Sequence, residues 1–131
     1  MDLYRKTEHT DKPNKLTRLN FEERMGTKQD VLLFLYDRKE KISKELMKLF
    51  EYLVYHLKEN KNLLLLRCDV GQNEMEDKLE ISVKGTPKVL FYRNRMKDRP
   101  IHFSGPTISG ESMVEFVMEN TTFDFEEEWE L

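Results

Sequence analysis

Val31-Leu32-Leu33-Phe34-Leu35-Tyr36 is an unbroken apolar run, and it limits the folds open to this chain more than any other stretch. Six residues suit a strand covered on both faces, as in a parallel or mixed sheet. Such a strand needs a layer above and a layer below it. The next segment supplies one of them. Over residues 40–57, Ile42, Leu46, Leu49, Phe50, Leu53, Val54 and Leu57 recur at spacings of three and four, with Lys41, Lys44, Glu45, Lys48 and Glu51 between them. That pattern predicts an amphipathic helix of about four to five turns. After the turn Asn60-Lys61-Asn62, a second apolar run over residues 63–70 predicts a second buried strand.

Shorter signals flank this unit. Lys15-Leu16-Thr17 reads as a short edge strand, and residues 20–25 as one or two helical turns ended by Gly26. Residues 74–79 read as a short helix. Residues 88–93 and 101–104 read as two strands around a basic loop. Ser109 caps a last helix with Met113, Phe116 and Val117 on its inner face. Strands alternating with helices predict an α/β fold, a central mixed sheet flanked by helices on both faces. Residues 1–14 are polar, contain Pro13 and lack periodicity. They read as an extended arm free to reach a neighbour, residues 15–120 as the folded domain, and residues 121–131 as an acidic, aromatic tail.

Composition excludes several function classes. The single cysteine, Cys68, cannot form an internal disulfide and opposes a Cys-based zinc site. A net charge of −3 gives no basic excess for nucleic-acid binding. No run of about 18 apolar residues is present, so no transmembrane helix is expected. The opening Met1-Asp2-Leu3-Tyr4-Arg5-Lys6 lacks the apolar core of a signal peptide, and Glu128-Trp129-Glu130-Leu131 is a poor ER-retention signal. The expectation is cytoplasmic (including ciliary) or mitochondrial residence rather than the ER lumen. All five glycines are isolated, so there is no phosphate loop, and His9, His56 and His102 have no metal-ligand spacing. Neither cofactor nor metal is expected.

Several motifs in order carry a resemblance. Leu16-Thr17 followed by Asn20-Phe21-Glu22-Glu23, the run ending at Tyr36, the segment Val83-Lys84-Gly85-Thr86-Pro87-Lys88-Val89-Leu90-Phe91-Tyr92-Arg93-Asn94, and Ser104-Gly105 before the last helix resemble a protein disulfide isomerase catalytic-type domain of the thioredoxin-like superfamily. The resemblance implies a thioredoxin-like fold over residues 15–120 and a cis-proline at Pro87, preceded by Thr86, beside extended peptide substrates. It also implies a Cys-x-x-Cys pair at the start of the long helix, where free N–H groups lower the first thiol's pKa. Counted from Tyr36, the two cysteine positions fall on Glu40 and Ser43, with Lys41 and Ile42 between. Asp37-Arg38-Lys39 replaces the usual approach segment. The buried acid that the family often places behind the second thiol falls on Phe34, and Lys48 stands where a kinking proline is common. Thiol–disulfide activity is therefore not expected. Cys68, late in the second buried strand, reads as a structural thiol, with Arg67 pointing to the opposite face.

Outside that site, Arg93, Arg95, Lys97 and Arg99 form a basic cluster around the hairpin loop. It reads either as a solvated turn or as a docking surface for an acidic protein, a lipid headgroup or an RNA backbone. In the tail, five acids alternate loosely with Phe123, Phe125, Trp129 and Leu131. Those apolar side chains either pack back on the domain or anchor in a partner's groove, and anchoring is the expectation. Glu40 and Ser43 could pair catalytically, but no orienting base stands near them in sequence. The expected function is a redox-inactive protein-binding or scaffold subunit of a multi-subunit assembly. The alternative is a non-catalytic disulfide-isomerase-like chaperone that holds unfolded peptides near Pro87.

Overall fold

A computed structural model describes residues 5–123 of the chain. The elements in order are α1 (Phe21–Met25), β1 (Asp30–Tyr36), α2 (Ser43–Leu57), β2 (Leu63–Asp69), α3 (Glu76–Leu79), β3 (Lys88–Arg93), β4 (Met96–His102) and α4 (Gly110–Asn120). The sheet order is β2-β1-β3-β4. β1 pairs parallel with β2, from Asp30 opposite Leu63 to Tyr36 opposite Asp69. It pairs antiparallel with β3, and β3 pairs antiparallel with β4. The mixed sheet follows from the connections. α2 carries the chain back so that β2 runs parallel to β1, whereas a two-residue turn can only return β4 antiparallel to β3.

Alternation along β1 sorts its side chains into two cores. Leu32, Phe34 and Tyr36 face α2 and α4, where they meet Leu46, Phe50, Leu53, Met113, Phe116 and Val117. Val31, Leu33 and Leu35 face the other layer, with Leu16, Met25, Met75, Leu79 and Cys68. Every residue of β1 is buried, as a strand with a layer on each face must be. Each such aliphatic or aromatic side chain contributes about 1.5–3 kcal/mol by leaving water.

Three local expectations change. α2 begins at Ser43, not Glu40. The Asp37 side chain accepts from Lys39 N (3.0 Å), and the Asp37 carbonyl accepts from Glu40 N (2.9 Å) and from the Ser43 hydroxyl. This local turn competes for donors that an earlier helix start would use. β4 begins at Met96, so the basic loop shrinks to a turn at Asn94-Arg95, with Arg95 in the left-handed region at φ 69°. Lys97 and Arg99 therefore lie in an edge strand. The early edge strand reduces to one parallel bridge, Lys15 opposite Arg67.

The described part of the N-terminal arm is docked rather than free. Lys6 O accepts from Glu74 N (2.9 Å), and Asn14 O accepts from Arg67 N (2.9 Å). The Glu8 carboxylate accepts from Lys15 Nζ (2.9 Å), Arg38 Nη2 (3.0 Å) and Asn73 Nδ2 (3.0 Å). Burial pushes the Glu8 carboxyl up, but these donors outweigh it and hold the group below its ordinary value. Asn73 is fully buried and links the arm to β2, accepting from Glu8 N (2.9 Å) and donating to Asp69 O (3.1 Å).

Candidate functional site

The face implied by the resemblance lies at the C-terminal end of β1. Arg38 leaves that end and donates to Asp69, a fully buried carboxylate, and to Glu8. Gly71 allows the Asp37 turn to approach, since a Cβ there would stand 2.9 Å from Asp37 Oδ1. The Thr86–Pro87 peptide bond is cis. Its turn meets the segment before α2 directly, because the Thr86 hydroxyl donates to the Glu40 carboxylate. Ser43 is buried, and its hydroxyl donates to the Asp37 carbonyl. Ile42 is 46% exposed.

The two positions where a dithiol would stand thus have different surroundings. Glu40 is an exposed acceptor tied across to Thr86, and Ser43 is an inward hydroxyl tied to its own turn. Beneath them, Phe34 packs edge-on against Phe50, with ring centroids 5.5 Å apart. Beside Ile42 a groove of about 480 Å³ runs between Leu46 and Leu49 of α2, Pro87, and the segment from Pro106 to Ile108. Its polar lining is sparse, and it offers shape and apolar surface rather than reactive groups. The side chains of Glu40 and Ser43 hydrogen-bond to the Thr86 hydroxyl and the Asp37 backbone carbonyl, neither of which is a general base. Among the described residues, no group of three or more His, Cys, Asp or Glu side chains could hold a metal ion.

Cys68 lies in the opposite core, fully buried. Burial pushes its thiol far above the ordinary range, and the charges of Glu8 and Asp69 push it further. A thiol held protonated is a poor nucleophile. Arg67 points the other way, donating to Tyr36 Oη (3.2 Å). A thiol-specific aromatic disulfide reagent should label Cys68 in the native protein about a thousandfold or more slower than in denaturant, because labelling awaits opening of the central sheet. Rapid native labelling would contradict the buried thiol.

The basic cluster separates once folded. Lys97 turns inward and donates to Met25 O (2.8 Å) and Thr27 O (3.0 Å). Burial lowers its ammonium, while Asp30 opposes that shift. Arg93 is partly buried, and Arg95 and Arg99 are exposed. Phe123 is partly buried, whereas Phe125 and Trp129 lie outside the described residues.

Two features had no clear sequence signal. Asp30 is fully buried at the head of β1 and accepts four hydrogen bonds, from Asn94 N, Thr121 Oγ1, Thr122 N and Thr122 Oγ1. A second groove lies between the arm and the last turns of α2. A lone carboxylate just before a buried run was the available hint for the first.

No family model matches the chain. Its fold is similar to the first thioredoxin domain of mouse protein disulfide-isomerase A4, with a TM-score of 0.68 and 22% identity over 86% of this chain and 79% of that one. It is also similar to the first two thioredoxin domains of Saccharomyces cerevisiae Eps1p, with a TM-score of 0.67 and 18% identity over 83% of this chain and 41% of that one. Human ERp44 matches with a TM-score of 0.66 and 18% identity over 80% of this chain and 31% of that one. The chain therefore spans less than half of the latter two.

Proposed function

From a thioredoxin fold with no Cys-x-x-Cys pair, we propose a redox-inactive protein-docking module, an accessory subunit whose former dithiol face receives a partner in a larger assembly. The observation that carries this reading is the Glu40–Thr86 hydrogen bond. It ties the segment before α2 to the cis-proline turn and leaves Ile42 standing out beside the apolar groove. A face fixed in shape, with an exposed aliphatic side chain at its centre, suits an anchor-and-pocket interface. Fold alone does not assign function, and these residues carry the reading.

The groove itself favours a second reading, a chaperone that holds extended peptides beside Pro87. The two readings differ in stoichiometry. Affinity isolation of the full chain should recover a defined complex at fixed ratio, and Ile42→Arg should abolish it. Loss of a central anchor costs about 2 kcal/mol or more, about thirtyfold in affinity. An Ile42→Arg chain that keeps the complex would overturn the proposed face. Recovery of many unrelated unfolded chains would favour the chaperone. Insulin reduction should match that of a Cys68→Ala chain in either case, and activity above that control would refute the redox-inactive assignment.

A further inference from the structure

We infer that the groove between the N-terminal arm and the outer face of α2 is the docking site of this chain's own C-terminal run, residues 124–131. The groove measures about 440 Å³ and is lined mainly by apolar surface. Pro13, Phe50, Val54 and Tyr55 supply its apolar lining. Tyr55 is 66% exposed and lies beside Pro13, Phe50 and Val54, so its ring belongs to an apolar patch rather than standing singly.

Charge selects the occupant. Lys12 and Lys58 line the groove beside one acid, Glu51, while Lys15, also in the lining, is paired with Glu8 and Arg67 donates to Tyr36 and Met47. Two of these cations sit over its aromatic rings, Lys58 Nζ 4.7 Å from the Tyr55 centroid and Arg67 Cζ 5.8 Å from the Phe50 centroid. An apolar floor with a basic rim fits an acidic segment that carries large apolar side chains. Residues 124–131 have that composition: Asp124, Glu126, Glu127, Glu128 and Glu130 interleave with Phe125, Trp129 and Leu131. The groove beside α4 is a poor competitor, because Glu111, Glu115 and Glu119 line it and would repel the run.

Reach also favours this groove. Thr121 and Thr122 are held at Asp30, the first residue of β1. Asp30 N donates to Asn62 O (2.9 Å), and Asn62 follows Lys58 by one turn of chain. The described chain therefore ends one hydrogen-bonded step, through Asp30, from the turn that follows α2. Eight residues span at most about 26–29 Å, and the α2 surface from Phe50 to Lys58 is about 12 Å long. The Pro87 groove lies at the far end of β1. A tether this short supplies a millimolar effective concentration, so modest contacts suffice for occupancy.

Trp129 is the chain's single tryptophan and reports on the run directly. In the full chain at low salt its emission should be blue-shifted. Tyr55→Ala and Lys58→Glu should each red-shift it and raise the acrylamide quenching constant about twofold or more, as the bound fraction falls. Lys44→Glu, the same charge change at an exposed site away from this groove, should leave it unmoved. About 1 M salt, which shortens the screening length to about 3 Å, should act as Lys58→Glu does. Circular dichroism confirms that each variant keeps its fold. Emission typical of free tryptophan in the unaltered chain overturns the assignment, as does blue-shifted emission indifferent to both groove variants. Emission that depends on protein concentration gives the groove to a second copy and overturns it too.

Discussion

Asp30→Ala should cost about 3–5 kcal/mol of stability, because it strips a fully buried site of the acceptor that four donors share. Asp30 Oδ1 accepts from Asn94 N (2.7 Å) and Thr122 Oγ1 (2.9 Å), and Oδ2 accepts from Thr121 Oγ1 (2.8 Å) and Thr122 N (2.9 Å). One side chain thus joins the head of β1, the β3–β4 turn and the end of α4. The hydroxyls can turn toward other acceptors, but the two backbone N–H groups cannot. Asp30→Asn separates shape from charge. It keeps the volume but offers one acceptor oxygen, so its NH2 group faces donors. We expect it to cost about 2–4 kcal/mol. Urea unfolding should show a lower midpoint with an unchanged slope, and Tm should fall by about 10–20 °C for the alanine variant. A loss below about 1 kcal/mol in both variants would show that the four contacts stabilise nothing beyond what water supplies.

Asp30 also shows what sequence reading can reach. The apolar pattern placed β1, α2, β2, β3 and α4, because period 2 and period 3.6 are local properties written along the chain. The partners of Asp30 lie 64, 91 and 92 residues away, and no local pattern encodes them. Edge strand β4 is only half legible in the sequence for a related reason. Met96-Lys97-Asp98-Arg99-Pro100 pairs on one side only and buries little, so it lacks the alternation that marks a half-buried strand. The start of α2 slipped by three residues because Ser43 can begin a helix and also serve the Asp37 turn, and only the turn's hydrogen bonds decide between them. Within the candidate site, the resemblance and a count from Tyr36 point to Glu40 and Ser43, and the resemblance alone points to Phe34. The Glu40–Thr86 contact, 46 residues apart, has no such trace in the sequence.

Phe34→Glu tests whether the core beneath Glu40 and Ser43 tolerates the acid that the resemblance implies there. Phe34 is fully buried, stands between Val89 on β3 and Arg67 on β2, and packs edge-on against Phe50. Replacing it removes an aromatic side chain, for which truncation costs about 3–5 kcal/mol. It also places a carboxyl in an apolar layer. Arg67, the nearest strand neighbour, is already engaged with Tyr36 and Met47. The new acid should therefore enter the core protonated, with its folded pKa raised by desolvation. The native state then binds the proton more tightly than the unfolded chain, whose glutamate titrates near about 4.3. Stability relative to the unaltered protein is best below that value and is lost as pH rises toward the raised folded pKa. The variant should be destabilised by about 4 kcal/mol or more at neutral pH and by less at about pH 4. Phe34→Leu is the control for shape. It should cost about 1–2 kcal/mol and show no added pH dependence. If Phe34→Glu proved as stable as Phe34→Leu at neutral pH, an ionised acid would have a solvated route behind Ser43. The site would then retain the environment of a redox centre, and the redox-inactive reading would rest on the missing cysteines alone.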